Sequence, residues 1–507
     1  MSIARKGWAW RLMSAKSNFL IWTLFIFIFF VLVLKANNYL DPDFGWHLKV
    51  GEIALSSGIP KLDPFSYSMP SFHFINHEWA TDTFLKLSYD SLGFFGLSLI
   101  FATALILAIY VSFRRDSKSL PFWEVPVILG IGTLLPYFAL RPQVLSWLLW
   151  AIFLALILNR ERWSKWKFFL PPFFMVWANF HGSFAAGIAA LVLLGIFRYL
   201  KERKLSWSFT IITLLCLLST LINPYGPRIW KEIWLSISDA SLRWRIAEWQ
   251  PAFFSINLPF ILYFVISSFL IWKNKRGFKL DELGLFFFFA FWGLSSKRNV
   301  PLWVILSIPM TIKAFSLMLT KIKIIPQAEV RFKKAYNWTL YFSISAVFLQ
   351  ALGLLLSLHT YKEETYYPKE AVSYLSNNLP KGEIFSIYRW GGYLIWKLPE
   401  KKVFVDGRMP SWRTQDSPES ESENAMRDYT NLVSGFISYK DIFNKYGVTV
   451  VLWEKSAQKG SLDTLPQRFE KVIWGRSRPF DFISDLEKDG WDMVYEDNVS
   501  VIFVSAR

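Results

Sequence analysis

Cysteine is nearly absent from this 507-residue sequence, and acidic residues are scarce beside basic ones. Cys216 is the only cysteine and lies in an apolar run, so the C-terminal region uses no disulfide. Cysteine usage therefore does not indicate whether the compartment is oxidising or reducing. Asp and Glu number 39 against 56 Lys and Arg, for a formal net charge of +17. From residue 360 onward the chain carries 20 basic and 22 acidic residues, so the whole excess lies before that point. This placement argues against nucleic acid as a partner.

Long hydrophobic runs, by contrast, are abundant. Hydrophobic residues make up 53% of the chain and aromatic residues 19%, which is far outside the usage of a soluble globular protein. A membrane span needs roughly 20 mostly apolar residues. The first run could alternatively be a signal peptide behind a basic N-terminus, but its length and the lack of an A-x-A site favour a span. The predicted spans are 19–35, 93–113, 122–140, 143–158, 168–179, 184–200, 207–222, 257–272, 283–296, 300–319 and 338–358.

Basic clusters fall in every second loop between these segments. Lys and Arg are enriched at the cytoplasmic ends of spans, so about eleven spans with a cytoplasmic N-terminus put all five clusters inside. The C-terminal region is then external or periplasmic, on a multi-pass protein of the cell (inner or plasma) membrane. The clusters are Arg114, Arg115 and Lys118; Arg160, Arg162, Lys165 and Lys167; Arg198, Lys201, Arg203 and Lys204; Lys273, Lys275, Arg276 and Lys279; and Lys321, Lys323, Arg331, Lys333 and Lys334.

The predicted fold class is a multi-pass α-helical membrane protein of about 11 transmembrane helices with a C-terminal external α/β domain. The membrane domain covers 1–358, with external loops at 36–92 and 223–256, and the soluble domain covers 359–507. In the soluble domain, "PKEAVSYLSNNLPKG" indicates a helix, "EIFSIY" and "KKVFVDG" indicate strands, and "KDIFNKYGVTVVLWEK" indicates a helix, Gly447 and a strand. "WDMVYEDNVSVIFV" is typical of a hairpin, and "RTQDSPESESENAMRD" of a loop.

The predicted external loops hold ionisable and aromatic-polar residues that a connecting segment does not need. Directly after the first span, "DPDFGWHL" at 41–48 presents Asp41, Asp43 and His47. If a helix begins after Pro42, Asp43 and His47 share a face. Carboxylates at D-x-D spacing suit a hard divalent cation, although Asp is also a preferred helix N-cap. Four of the five histidines lie in these loops, where ordinary interfacial residues are the alternative interpretation: His47, His73, His77 and His181.

These residues resemble the GT-C superfamily of integral-membrane glycosyltransferases, whose first external loop carries an acidic motif. "DFGWHLK" at 43–49 resembles the D-x-x-x-H-L-R loop of oligosaccharyltransferase catalytic subunits. "YRWGGYLIW" at 388–396 resembles a degraded form of their W-W-D-Y-G motif, and "VFVDGR" resembles their next strand. Gly391 stands where that motif has an Asp that belongs to reading the acceptor peptide. "HEW" at 77–79 matches uncharacterised bacterial membrane proteins assigned to the same superfamily.

The resemblance implies a glycosyltransferase that takes a sugar or oligosaccharide from a polyprenyl-phosphate or polyprenyl-diphosphate donor at the external membrane face. Its acceptor is left open between protein, polysaccharide and lipid. Asp43 is then the catalytic base or acceptor-orienting carboxylate. Asp41, Asp43 and Glu248, or Glu78 in its place, would hold Mg²⁺ or Mn²⁺. Substrate contacts are expected from His47, His77, Glu78, Arg141, His181 and Arg298, with the two arginines on the donor phosphate and Lys297 as a weaker candidate.

Two other functions remain open from the sequence. A transporter or flippase would bind a lipid-linked sugar without transfer chemistry, but the predicted spans carry almost none of the polar residues that transport requires. An external metallohydrolase would use His73 and His77 as zinc ligands on one helix face, with Glu78 beside them. The zincin pattern needs Glu directly after the first His, and Phe74 stands there instead.

Overall fold

The computed structural model describes residues 15–114, 122–239, 246–255, 257–322, 326–412, 425–455 and 482–506, and the chain forms two compact units. The helical unit comprises Met1–Asn37, Leu92–Ile229 and Ala247–Ser357, and the mixed unit comprises Asn38–Ser91, Trp230–Ile246 and Leu358–Arg507. Residues 38–91 belong to one compact unit with the C-terminal region. The predicted division into a membrane domain at 1–358 and an external domain at 359–507 stays a prediction.

Each of the eleven predicted spans falls on a helix. The apolar runs are long enough for helices, and proline or glycine stands near several of their ends. The α-helices described up to residue 357 are α1 (Ala15–Asn38), α2 (Phe44–Ser56), α3 (Trp79–Arg114), α4 (Glu124–Leu134), α5 (Pro142–Ile157), α6 (Arg160–Trp166), α7 (Leu170–Phe180), α8 (Phe184–Glu202), α9 (Trp207–Ser219), α10 (Arg228–Ser238), α11 (Leu258–Lys273), α12 (Leu280–Ser295), α13 (Val300–Ile322) and α14 (Pro326–Ser357).

Within the described ranges, five helical segments are long and apolar enough to cross a membrane: Phe19–Asn38, Trp79–Arg114, Phe184–Glu202, Lys297–Lys321 and Gln327–Ser357. A bent pair, Pro142–Ile157 and Arg160–Phe180, would be a sixth span, with a bend of 103°. The pair is broken because Asn159 accepts the backbone N–H of Arg162 and so starts a new helix. Several remaining helices are shorter than a full span, such as Trp207–Ser219. The protein is therefore a membrane protein, and the count of eleven spans stays a prediction.

A small sheet forms the centre of the C-terminal part of the mixed unit. Strands β1 (Glu383–Ser386), β2 (Val448–Glu454), β3 (Asp492–Glu496) and β4 (Ser500–Val504) lie in the order β1-β2-β4-β3, with β1 and β2 parallel and the other pairs antiparallel. The hairpin and the helix–Gly447–strand unit are as predicted, and Gly447 ends its helix with φ +68°. The α-helices among the described residues of this region are α15 (Glu363–Tyr366), α16 (Lys369–Asn377), α17 (Gly391–Lys397), α18 (Ala425–Val433), α19 (Tyr439–Tyr446) and α20 (Phe482–Lys488).

Two local predictions in this region need correction. "KKVFVDG" is not a strand, because only Val403 makes isolated bridges, to Ser66 and to Ile384. The predicted loop "RTQDSPESESENAMRD" lies largely in 413–424, outside the described residues, while its last four residues begin α18.

The first loop of the chain is hydrogen-bonded to the C-terminal region. The backbone N–H of Val403 donates to the Phe65 carbonyl at 3.0 Å, and the N–H of Tyr67 donates to the Val403 carbonyl at 3.2 Å. The Tyr67 hydroxyl donates to the Ile384 carbonyl at 3.0 Å, and the Tyr367 hydroxyl to the Leu40 carbonyl at 2.8 Å. Residues 383–403 thus hold a segment more than 300 positions earlier in the sequence.

Glycines allow α2 and α17 to approach each other closely. A Cβ atom at Gly45 would overlap the carbonyl oxygen of Gly392, and one at Gly392 would overlap the carbonyl oxygen of Pro42. A Cβ at Gly391 would overlap the Val405 carbonyl. Because the obstacles are backbone atoms, they cannot move aside as a side chain would. The "GG" of the "YRWGGY" stretch is therefore a packing requirement of this unit.

We expect Gly45→Ala to lower the free energy of unfolding by about 1–3 kcal/mol, the usual cost of overpacking a core. The measurement is thermal unfolding of the purified full chain in detergent. Gly353→Ala is the matched control, because Gly353 lies in α14 and an added Cβ there meets nothing within 4 Å. An equal melting temperature for Gly45→Ala and wild type would contradict the close packing of α2 on α17.

Candidate active site

Asp41 and Asp43 have different environments at the start of α2. Asp41 is buried, and its Oδ1 accepts the backbone N–H of Asp43 at 3.0 Å, which makes a turn that leads into the helix. Asp43 is the N-cap residue but makes no side-chain capping hydrogen bond, and it is only partly buried. Its Oδ1 accepts from Trp46 Nε1 at 3.1 Å, and a Cβ at Gly407 would overlap this oxygen. Of the two carboxylates, that of Asp43 is thus the more accessible, and it lies against Trp46 on one side and Gly407 on the other.

His47 belongs to a buried polar cluster formed by α2, the start of α3 and the residues before it. Its Nδ1 donates to Asp82 Oδ1 at 2.6 Å, and Asn76 Nδ2 donates to Asp82 Oδ2, also at 2.6 Å. Asp82 is 0% exposed and His47 3%. His47 Nε2 stands 4.0 Å from Glu78 Oε2, and His77 Nε2 stands 3.4 Å from Glu78 Oε1. The structure therefore brings together three predicted site residues with two unpredicted ones, Asp82 and Asn76.

The cluster favours a protonated His47. Burial by itself disfavours the charged imidazole, but the charge and hydrogen bond of Asp82, with smaller contributions from Glu78 and Asp43, outweigh it. The net effect raises the pKa of His47 above its ordinary value. An almost fully buried imidazole held by Asp82 fits a positioning role beside Asp43 better than the direct substrate contact predicted from the sequence.

A second buried ionic group lies under the first loop. Arg408 donates to Asp406 Oδ2 at 2.6 Å and to Asp63 Oδ1 at 2.8 Å, and all three residues are buried. The Arg408 guanidinium lies 4.9, 4.8 and 5.2 Å from the ring centres of Phe65, Phe74 and Trp412. Asp63 also accepts the backbone N–H groups of Phe65 and Ser66. This group joins 63–74 to 406–412 and so fixes the loop that leads to His77 and Glu78.

The predicted cations occupy the helical unit, where each already has a neighbour. Arg141 pairs with Glu248, so the proposed metal ligand and one proposed phosphate ligand neutralise each other. The Arg298 guanidinium lies 5.2 Å from the Trp249 ring centre. Lys297 donates to Gln250 Oε1 at 3.0 Å. The segment 248–250 therefore meets all three cations.

His181 lies in a separate polar network of the helical unit. Its Nδ1 accepts the backbone N–H of Ser183 at 3.0 Å, which leaves the proton of a neutral imidazole on Nε2. The Ser183 hydroxyl contacts Ser146, whose hydroxyl oxygen accepts from Trp177 Nε1 at 2.6 Å. The network ties α5, α7 and α8 together, and substrate binding by His181 stays a prediction.

No group of three or more His, Cys, Asp or Glu side chains arranged to hold a metal ion occurs among the residues that the structure describes. Asp41 is engaged with the Asp43 backbone, Asp82 with His47 and Asn76, and Glu248 with Arg141. These residues do not fit a preformed cation site, so no catalytic step is assigned to a metal. Metal ligation by Asp41, Asp43 and Glu248 stays a prediction.

The premise of the metallohydrolase interpretation is wrong. His73 and His77 lie in a non-helical segment, because α3 begins only at Trp79. His73 is exposed and bridges to Leu62, whereas His77 contacts Glu78. The two imidazoles therefore do not share a helix face, and the spacing that suggested a zinc site has no structural basis.

Sequence reasoning missed Asp82, Asn76, Asp63, Asp406 and Arg408. Asn76 and Asp82 flank the "HEW" motif within the same polar stretch, so their proximity to it was a usable signal. Arg408 and Asp406 stand in "VFVDGR", but Asp63 is over 300 residues away. No local pattern indicates that these three charges meet.

We expect the contribution of His47 to stability to depend on pH. A raised pKa in the folded state means that the stabilisation is fully present below the unfolded-state pKa, about 6.5. It is lost as pH rises through the higher folded-state pKa, because the imidazole then loses its positive charge beside Asp82. The difference in melting temperature between wild type and His47→Gln should therefore be larger at pH 6 than at pH 9.

The measurement is thermal unfolding of the detergent-purified chain across this pH range. His73→Gln is the matched control, since His73 is exposed and has no carboxylate ion pair among the described contacts. A difference that stays constant or grows with pH would show that the His47–Asp82 pair is not an ion pair.

Sequence comparison gives no relatives: no protein-family model matches the chain, and no curated protein matches it significantly. The structure is similar to the oligosaccharyltransferase of Archaeoglobus fulgidus in the apo form, with a TM-score of 0.52 and 11% identity over 86% of this chain and 70% of that one. The same enzyme in complex with Zn and sulfate matches with a TM-score of 0.51 and 10% identity, over 85% of this chain and 68% of that one. At such low identity the likeness is one of fold. The chain thus has an oligosaccharyltransferase-like fold, which confirms at the level of fold the resemblance stated from the sequence.

Proposed function

We propose that the protein is a membrane glycosyltransferase. It moves a sugar or oligosaccharide from a polyprenyl-phosphate or polyprenyl-diphosphate donor to an acceptor at the external or periplasmic face of the cell membrane. The observation that carries the proposal is the similarity in fold to an oligosaccharyltransferase over 86% of the chain. The position of Asp43, five residues after the first candidate span, supports it.

Asp43 has the environment that an acceptor-activating carboxylate requires. In the proposed reaction the acceptor nucleophile gives its proton to Asp43 as it bonds to the anomeric carbon, and the bond from that carbon to the lipid phosphate breaks. The carboxylate is partly exposed, so an acceptor can reach it, while Trp46 and Gly407 limit its movement. His47 lies four residues later and is held by Asp82, which favours the charged form of the imidazole, and that form stabilises the ionised Asp43 electrostatically.

The acceptor is not read by a side chain at position 391. The resembling motif has an Asp there, whereas Gly391 has the Val405 carbonyl and the Asp406 backbone where a Cβ would be. A carboxylate cannot be restored at this position without displacing the backbone. We therefore propose that this protein does not select its acceptor by the peptide recognition that the resembling motif provides. Polysaccharide, lipid and protein all stay candidate acceptors.

We propose that Arg298 binds the donor phosphate. Its guanidinium lies 5.2 Å from the Trp249 ring centre, and a guanidinium over a ring face can still meet phosphate oxygens with its edge. Arg141 forms an ion pair with Glu248, so phosphate binding by Arg141 would require that pair to break.

We expect Asp43→Asn to lower sugar transfer by at least about 100-fold, because the amide cannot accept the proton of the nucleophile. The test is complementation of a gene deletion in the host, with mass spectrometry of envelope glycans and glycoproteins. Asp90→Asn is the control, since Asp90 is an exposed carboxylate of the same unit that pairs with Lys86. Full transfer by Asp43→Asn at normal membrane levels would overturn the mechanism.

The same experiment separates two roles of Asp41. An asparagine keeps the oxygen that accepts the Asp43 N–H, so a purely structural Asp41 tolerates Asp41→Asn. A metal ligand does not tolerate this loss of charge.

We expect Arg298→Ala to raise the apparent KM for the lipid-linked donor by about tenfold or more, since a hydrogen bond to a charged group contributes about 1.5–3 kcal/mol. Transfer is measured in membranes supplied with donor isolated from the host. Arg276→Ala is the control, an exposed arginine of the same unit in a predicted cytoplasmic loop. An unchanged KM for Arg298→Ala would remove Arg298 from the donor site.

A further inference from the structure

A cavity of about 500 Å³ lies entirely within the helical unit and contains none of the candidate active-site residues. It is formed by the break between α5 and α6, the C-terminal end of α8, the start of α9 and the start of α12. Its walls combine aromatic rings, such as Trp163 and Phe209, with charged side chains.

Three of the five basic clusters of the sequence meet at this cavity. Five of its lining residues are cationic and three are acidic, which leaves two positive charges in excess. Alternate loops of a multi-pass protein emerge on the same side, so topology brings such clusters to one face. Topology alone does not require them to line one cavity. The cationic residues are Arg160, Arg198, Lys201, Lys204 and Lys279.

Two of the three carboxylates are already neutralised by cations. Arg198 Nε donates to Asp281 Oδ2 at 3.4 Å, and Lys313 Nζ donates to Glu282 Oε2 at 3.3 Å. Arg198 is half-buried, with its guanidinium 4.7 Å from the Phe209 ring centre. The other four lining cations are balanced by only one further lining carboxylate, Glu202. The cavity therefore attracts anions.

The surface that adjoins the cavity is apolar. Tyr199 and Leu205 line the cavity and are 47% and 45% exposed. Further exposed apolar residues follow along α8 and α9: Ile196, Leu200, Trp207, Ile211, Leu214 and Leu218. In a membrane protein, exposed apolar faces of such helices meet lipid chains. A ligand that suits both surfaces has a negatively charged head and long apolar chains.

We propose that this cavity binds the phosphate headgroup of an anionic phospholipid, with the acyl chains along the exposed faces of α8 and α9. Basic pockets between membrane helices are suited to such headgroups because the charges attract phosphate and the helices contact the chains. The site is separate from the proposed transfer reaction and does not depend on it.

The probe is dioleoyl phosphatidylglycerol added to the purified full chain in detergent, with bound lipid counted by native mass spectrometry. Each basic residue near a lipid headgroup contributes about fivefold to affinity, so Lys201→Gln/Lys204→Gln should weaken binding about 25-fold. Lys273→Gln/Lys275→Gln is the matched control, because it removes two charges from the next basic cluster at positions that do not line the cavity.

Ser206→Asp gives a test that preserves the fold. Ser206 is the N-cap of α9 and lines the cavity, and Asp is an equally good N-cap that also suits the helix dipole. The variant should keep the melting temperature of wild type and lower the affinity for phosphatidylglycerol at least about fivefold, through repulsion of the phosphate.

Preferential binding of phosphatidylglycerol over phosphatidylcholine, weakened by both cavity variants and not by the control, supports the site. Equal losses in the control would assign the effect to overall charge and overturn it. Full displacement of phosphatidylglycerol by glycerol 3-phosphate would show a site for soluble anions. Binding of undecaprenyl phosphate without phosphatidylglycerol would show a site for the carrier lipid. Either result would reject the phospholipid assignment.

Discussion

The close backbone contact between α2 and α17 is the constraint on which the candidate active site depends. It exists because Gly45 and Gly392 carry no Cβ atoms where the two helices meet. The absence of a side chain at Gly407 is required in the same way, because the carboxylate of Asp43 occupies the space that a Cβ atom there would fill. The position of Asp43 is thus set by residues more than 300 positions later in the chain.

Buried charge supplies a second restraint on the same loop. Burying an ion is costly, so such groups persist only where partners satisfy them, as Asp63 and Asp406 satisfy Arg408 and as Asp82 satisfies His47. The two groups hold residues 63–82 at several points, between which His77 and Glu78 lie. A site built on a loop gains in this way the rigidity that catalytic geometry requires.

Several elements were predictable because their signals are local. The eleven apolar runs fall on helices, since a run of apolar residues with helical length has few alternatives in a membrane. The hairpin at 492–504 and Gly447 after α19 follow from turn chemistry. "KKVFVDG" alternates like a strand but makes only isolated bridges. Val403 of this segment bridges to Ser66 in the first loop and to Ile384 in β1. A short alternating pattern does not reveal which distant residues a segment will pair with.

Composition, hydrophobic length and short motifs are properties of neighbouring residues, so they were enough to identify a membrane protein and to single out Asp43 and the "YRWGGYLIW" stretch. Packing, in contrast, was needed to show that residues 38–91 fold with the C-terminal region. Packing was also needed to show that Asp41 makes a turn, that Arg141 neutralises Glu248, and that His47 contacts Asp82. These outcomes depend on which distant groups become neighbours after packing, and the energy of a buried charge is set by those neighbours rather than by its place in the chain.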